Sequence, residues 1–445
     1  MTLSPDADSR RRSGVHDVGF LHRPGLSAAP GLNDFVRAEV WPLDTLDLSW
    51  PDLRRAIAPL RERVKARGLW AAHLGPEHGG QGFGQVKLGL MHEILGTSPF
   101  GPLVFGNQAP DSGNAEILAR SGTAEQQRRW LEPLLTGDVY SSFAMTERDT
   151  AGADPTQLAT TAVRDGEDWV VNGRKWFISN AQIADFFIVT AVTDPHAPRH
   201  SKTSQLIIPA GTPGVTIVRA LGSMEEPRPR DGGYPSHAEM TFTHARVPAG
   251  ALLGEQGAGF TVAQQRLGPG RIHHCMRWLG QARRAFDMMC ERSTYRSVQG
   301  NLLGEKGTIR DWIAESAAQM QAARLMTLHA AWIVDTQGFA AARKEIAYIK
   351  FFGAAVLHDV LDRAVQVHGS LGYSTDLPLE SMYRAARAAR LYDGPDEVHR
   401  DSAARLILRD YAPPAGGVPS EHRPTRRRAA RAQFAWLLDE AATGA

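Results

Sequence analysis

Between Asn33 and about Thr136 apolar residues recur at three- and four-residue spacing. The pattern runs through DLRRAIAPLRERVKARGLW, QVKLGLMHEILGT, SGNAEILARSG and TAEQQRRWLEPLLTG, with Gly or Pro closing each piece. This spacing predicts amphipathic helices. Thr123 followed by Gln126 has the form of a capping box, in which the hydroxyl accepts from a free backbone N–H. The texture changes at Asp138. VYSSFAMT, QLATTAVRDGEDWVVNG, KWFISN, DFFIVTAVT, SQLIIPA, GVTIVRA and AEMTFTHARVP are short, β-branched and aromatic. Asp165–Gly166 and Asn172–Gly173 read as turns dividing them, which predicts a middle antiparallel β-domain. Helical spacing returns at about Gly257 in three long segments and two shorter ones, ending near Tyr411. Long helices with short links form a bundle.

The expected fold is α+β: a flexible arm over 1–30, an N-terminal helical domain over 31–137, a β-domain over 138–250, a C-terminal helical bundle over 251–411 and a basic tail over 412–445. A chain of 445 residues is long enough for two or three such domains. Composition supports a packed core, with 42% hydrophobic and 22% charged residues. Lys+Arg 50 against Asp+Glu 48 leaves a net charge of +2, which gives nucleic acid or an acidic membrane no electrostatic claim as the main partner. There is no run of about 18 apolar residues to span a membrane, and the arginines near the start precede no apolar signal region. Cys275 and Cys290 fall in one predicted helix, where they would lie roughly 22 Å apart, too far for a disulfide. Two free thiols fit a reducing cytoplasm.

Several motifs have plain readings. Gly79, Gly80, Gly82 and Gly84 lack the spacing of a phosphate loop and read as a loop between helices. His273 and His274 are adjacent, so on a helix they point about 100° apart and cannot grip one metal together. No metal is expected. Arg426, Arg427, Arg428 and Arg431 read as a solvated basic tail, with nucleic-acid binding the alternative. Two segments stand out. FAMTERDTAGAD, residues 143–154, ends a strand with small and hydroxyl residues suited to close approach by a planar heterocycle and its phosphates. LYDGPDEVHR, residues 391–400, carries an acidic residue in a Gly/Pro-marked break between helices, from which a carboxylate could enter a cavity. On composition alone a strand end and a helix cap remain open for these two.

Taken in order, FVRAEVWP, GPEHGGQGFG, FAMTERDTAGAD, VVNGRKWFISN, THARVPAGALLGEQGAGF, RLGPGRIHH, QVHGSLGY and LYDGPDEVHR resemble the acyl-CoA dehydrogenase family over roughly residues 30–411. RLGPGRIHHCMR and DGPDEVH are particularly similar to the branch of vertebrate members ten and eleven and their stand-alone bacterial counterparts. The resemblance implies FAD in a cleft between β-domain and bundle, with an acyl thioester stacked on the flavin. It implies α,β-dehydrogenation of an acyl-CoA: a carboxylate takes the α-proton and the β-hydrogen leaves as hydride to flavin N5. The base position is Asp393, where most relatives carry Glu; one methylene fewer moves the oxygen back by about 1.5 Å. The alternative base position of some relatives is Gly270 here.

By the same resemblance Met145 and Thr146 meet the flavin ring through backbone and hydroxyl. Phe177 and Ser179 stand where relatives place Trp and Thr beside it. Arg296 reaches the FAD pyrophosphate of a neighbouring subunit, and Gln366 and Gly369 make partner-chain contacts near the adenosine. Arg271 helps place the acyl-CoA, with Ala153 and Gly394 as further substrate contacts. Ala153 replaces a common serine, Gln299 a common Phe, and Pro395 and Glu397 the usual Thr and Gln. Shared FAD contacts imply a homodimer or homotetramer, and the family's electron acceptor is an electron-transfer flavoprotein. Two other functions stay open: a nitroalkane-oxidase-like or monooxygenase-like flavoenzyme on the same fold, and a flavin-bearing DNA-binding protein using the basic tail.

Overall fold

A computed structural model describes residues 31–229, 236–414 and 416–437. The arm expected over 1–30 lies outside the described residues. Contacts divide the chain into one unit ending at Arg400 and a second beginning at Asp401.

The first unit opens with helices, chiefly α1 (Trp50–Ala66), α2 (Gln85–Leu95) and α3 (Asp111–Ser121). Ser49 caps α1 by accepting from Asp52 N, and Thr123 and Gln126 form the expected capping box. Leu53, Ile57, Leu60 and Val64 share one stripe of α1 and join Leu88, Met91 and Leu95 of α2 in one buried cluster. The glycine-rich stretch before α2 is a loop between helices. At its end the Asp335 carboxylate accepts from Gln85 N and Val86 N, so a side chain of this protein satisfies the N-terminus of α2.

Among the described residues eight strands form one sheet: β1 (Ser141–Ala144), β2 (Thr161–Asp165), β3 (Asp168–Ser179), β4 (Phe186–Val192), β5 (Thr203–Pro209), β6 (Val215–Leu221), β7 (His237–Pro248) and β8 (Leu252–Leu253). The order is β6-β7-β3-β2-β4-β5-β8, with β1 on β4. Most ladders are antiparallel as expected, but β1 and β2 each run parallel to β4. The Asp165–Gly166 turn joins β2 to β3. Asn172–Gly173 does not turn; it lies inside β3, at a register shift against β7. A Cβ on Gly173 would come within 2.4 Å of Thr160 Oγ1, so this glycine marks a bulge with close chain approach. WVVNG and KWFISN are therefore one strand.

The bundle consists of α4 (Gly259–Tyr295), α5 (Gly307–Gln337), α6 (Arg343–His368) and α7 (Leu379–Ala386), followed by α8 (Asp396–Leu408). Its core joins Met276, Leu279 and Met289 of α4 to Met320 and Leu328 of α5 and Val356, Val360 and Leu361 of α6. Cys275 and Cys290 are free thiols on α4. No helix among the described residues is long and apolar enough to cross a membrane. In the second unit, α9 (Arg423–Gln433) presents its arginines to solvent.

Candidate active site

The first half of the site is the surface where β1 meets β3. Ser142 Oγ donates to Ser179 O at 2.6 Å. Trp176 N donates to Thr146 O, and Thr146 Oγ1 donates back to Trp176 O at 2.6 Å. Behind them Lys175 is wholly buried and donates to Met145 O at 2.8 Å and to Glu147 Oε1 at 2.9 Å. Glu147 also accepts from Ala159 N and Thr160 N. Burial pushes the Lys175 pKa down to about 8 while Glu147 pulls the other way. A second register shift in β3, between Lys175 and Ile178, coincides with a left-handed Phe177 (φ 58), whose ring is 43% exposed. Ser179 Oγ lies 3.1 Å from His237 Nδ1. Met145, Thr146, Phe177 and Ser179 are thus brought together, although the Met145 carbonyl is already engaged by Lys175.

The second half is the turn between α7 and α8. Asp393 and Gly394 both adopt positive φ, 55 and 99. Three side chains fix the turn through its carbonyls. Arg271 Nε donates to Asp393 O, His399 Nε2 meets the same oxygen at 3.1 Å, and Lys350 Nζ donates to Gly394 O at 3.3 Å and Ala389 O at 2.7 Å. The Asp393 side chain keeps 19% of its exposure, and its Oδ2 stands 3.4 Å from His274 Nε2. Burial raises the Asp393 pKa, but His274, which carries charge only below its own pKa of about 3, and the permanent cations Arg271, Arg266 and Lys350 together outweigh it, so the net shift is downward. A carboxyl in a partly buried turn would ordinarily move upward; the cationic surroundings reverse that.

Arg266 links the halves. Its guanidinium lies 4.2 Å over the Phe143 ring, donates to Asn114 Oδ1, and is close enough to Asp393 for each to perturb the other's pKa. At Gly270 an added Cβ would meet no heavy atom within 4 Å, so the alternative base position opens on space. Gly394 sits beside Asp393 in the turn, whereas Ala153 lies exposed in the loop after β1. Arg296, Gln366 and Gly369 are also exposed, at the C-terminal ends of α4 and α6. Arg292 and Glu291 act electrostatically on His368, so those two ends adjoin. Among the described residues no hydrogen bond or ion pair joins them to the Met145–Ser179 surface.

Sequence reasoning missed Lys175, Lys350, Arg266 and His274. The spacing of Arg271, His274, Arg277 and Trp278 along one helical stripe would have flagged the last.

A helical domain, a sheet carrying hydroxyls and an exposed aromatic residue, and a helical bundle carrying an ionised carboxylate, with Arg266 reaching Phe143 on one side and acting on Asp393 on the other, are the arrangement of a flavin-type oxidoreductase fold. Residues 31–138, 142–226 and 257–408 match the N-terminal, middle and C-terminal domains of acyl-CoA dehydrogenase. The chain is 42% identical over 425 residues to acyl-CoA dehydrogenase family member 11 of Rattus norvegicus, covering 92% of this chain and 53% of that protein. It is also 42% identical to the protein assigned as acyl-CoA dehydrogenase FadE2 in Mycobacterium tuberculosis, covering 85% of this chain and 93% of that one. Butyryl-CoA dehydrogenase from Megasphaera elsdenii superposes with a TM-score of 0.72 at 27% identity, over 85% of this chain and 98% of that one. The chain belongs to the acyl-CoA dehydrogenase family, flavin oxidoreductases whose cofactor is FAD. It spans about half the length of the vertebrate relatives it matches. The sheet surface fits that cofactor: Phe177 is exposed, the hydroxyls of Thr146 and Ser179 lie in the same strand-end region, and Thr150 Oγ1, in the loop after β1, is buried without a hydrogen-bond partner.

Proposed function

We propose that the chain catalyses FAD-dependent α,β-dehydrogenation of an acyl-CoA thioester, with Asp393 as the base that takes the α-proton. One observation carries this reading: a partly exposed carboxylate on a turn fixed by Arg271, Lys350 and His399, held ionised by its surroundings. When bound, FAD would supply the hydride acceptor for the β-hydrogen. Met145, Thr146, Phe177 and Ser179 would hold the flavin ring. Arg296, Gln366 and Gly369 would serve the cofactor of a neighbouring subunit; their exposed positions on adjoining helix ends support that, and with it a homodimer or homotetramer. Arg271, Ala153 and Gly394 would position the acyl-CoA, Arg271 also by holding the Asp393 carbonyl. We divide the chain accordingly at 31–137, 138–250 and 251–411, with a basic tail after it. An electron-transfer flavoprotein as acceptor and a cytoplasmic setting, supported by two free thiols, complete the reading.

Anaerobic titration with a butyryl- to stearoyl-CoA series, following flavin bleaching, tests it. Asp393→Asn should still bind FAD and acyl-CoA but bleach roughly 10²–10⁴-fold more slowly, the range for loss of a general base. Near-normal bleaching by Asp393→Asn would refute the assignment. Aspartate at this position also suits a nitroalkane-oxidase-like reaction; peroxide formation from nitroalkanes without acyl-CoA binding would favour that.

A further inference from the structure

His274 sits between Arg277 and Asp393, on the face of α4 turned toward the Asp393 turn. Arg277 Nη2 is 2.9 Å from His274 Nδ1 and 3.5 Å from Nε2, and its Nη1 donates to Asn107 O. An arginine can only donate, so the nearer nitrogen, Nδ1, accepts and the ring proton resides on Nε2. That N–H edge is the one 3.4 Å from Asp393 Oδ2. The ring packs beside an aromatic pair, Trp278 at 6.2 Å and Tyr392 at 4.9 Å, which are 5.9 Å from each other. Trp278 Nε1 donates to Tyr392 OH at 2.7 Å, and Lys350 Nζ lies over both aromatic rings. His273 faces elsewhere, toward Gln85 Oε1 and a stack on His92.

We propose that His274, held in one tautomer by Arg277, is a positioning residue that aims the Asp393 carboxylate for proton abstraction. The inference rests on Asp393 being the base. The charged groups acting on His274 are Arg277, Lys350 and Arg266, with Asp393 the single anion. Burial first, then Arg277, push its pKa down to about 3, so it faces Asp393 as a neutral N–H donor throughout the neutral range. Among the described residues Asp393 Oδ2 has no other ion-pair contact. The long separation is the kind that shortens when a bound substrate excludes water.

Two substitutions separate aiming from packing. His274→Gln can accept from Arg277 and still present an amide N–H to Asp393. His274→Asn can accept from Arg277 but ends short of the carboxylate. Flavin reduction at saturation is followed across pH, using the acyl-CoA of the butyryl- to stearoyl-CoA series that bleaches the wild type fastest. His274→Asn should reduce flavin roughly ten- to a hundredfold more slowly, the scale of one hydrogen bond to a charged group. Its acid limb should move to higher pH, because His274 lowers the Asp393 pKa through its charge in acid and an amide has no charge to replace it. His274→Gln should restore most of the rate, while its limb moves together with that of His274→Asn. Equal rates for the two variants, an unmoved limb in both, or loss of FAD in both would overturn the inference. Asp393→Asn, run in parallel, keeps the two ideas apart. If it bleaches normally the base assignment fails, whereas if it is inactive and His274→Asn behaves as wild type, only the role of His274 fails.

Discussion

Lys175→Met tests how the flavin-facing surface is held. Lys175 and Glu147 have side-chain exposures of 0% and 5%, so neither can turn to water when its partner is removed. The substitution leaves Glu147 a buried anion that keeps the amides of Ala159 and Thr160 at 2.7 and 2.9 Å, and it strips the Met145 carbonyl of its donor. Breaking a buried pair from one side costs about 3–5 kcal/mol. The two retained amides favour the lower end, and an unsatisfied carbonyl adds about 1 kcal/mol, giving about 4 kcal/mol. With an unfolding entropy of about 2.1 cal/mol/K per residue, a 445-residue chain loses about 1 °C per kcal/mol, so Tm should fall by about 4 °C. Calorimetry at saturating FAD reads this, and flavin absorbance after gel filtration reads cofactor retention, which should fall with it. Glu147→Gln and the double variant complete a cycle, in which the double should cost less than the sum by about 2 kcal/mol or more. Additive single effects, or a Lys175→Met protein with wild-type Tm and full FAD, would refute the argument.

The downward shift of Asp393 sets a pH dependence: an acid whose pKa is depressed stays ionised further into acid, so the acid limb of kcat/KM should lie below the ordinary aspartate value of 3.8. Stopped-flow pH jumps measure it, and a limb above about 5 would contradict the cationic surroundings inferred for the free protein. Gly394→Ala places a Cβ 2.9 Å from His399 Nε2 at a φ of +99, and should cost about 1–3 kcal/mol of backbone strain. It should slow flavin reduction while FAD content holds; an unchanged rate would show that the turn does not set the base. Arg296→Ala should lower FAD occupancy and loosen the oligomer together, since a phosphate contact across an interface couples the two equilibria. Unchanged FAD content and sedimentation would remove Arg296 from the site.

The architecture was legible because each layer has its own period. Leu53, Ile57, Leu60 and Val64 repeat as a helix must, and the alternation of Trp169 and Val171, both buried, repeats as a strand must. Asn172–Gly173 misled because the same dipeptide that suits a tight turn also suits a bulge, and only the closeness of Thr160 decides between them. The acidic turn was legible as Asp393–Gly394–Pro395. Its partners were not. His274 stands more than a hundred residues away in sequence, and which of two adjacent histidines faces Asp393 depends on the rotation of α4 about its axis. That rotation is set by packing against α2, α5 and α6, which no local pattern encodes. Lys175 was hidden for a related reason: alternation along β3 places it inward, where a lysine is admissible only if a partner such as Glu147 lies opposite.

The way Asp393 is held explains how one short carboxylate can be both fixed and available. A direct pair between a guanidinium and the carboxylate would fix it, but would tie up both oxygens and weaken it as a base. Here Arg271, Lys350 and His399 meet the carbonyls of Asp393 and Gly394 instead. The main chain is pinned in a left-handed turn while, among the described residues, the carboxylate's one ion-pair contact is the neutral His274. The cations still act at a distance, which keeps the group ionised while it waits. A ligand that displaces water from the cleft would raise the desolvation contribution, already the largest of the influences on Asp393, and leave the cations where they are. The pKa of the carboxylate would therefore rise as the substrate binds, so that its basicity increases when the α-carbon is in place.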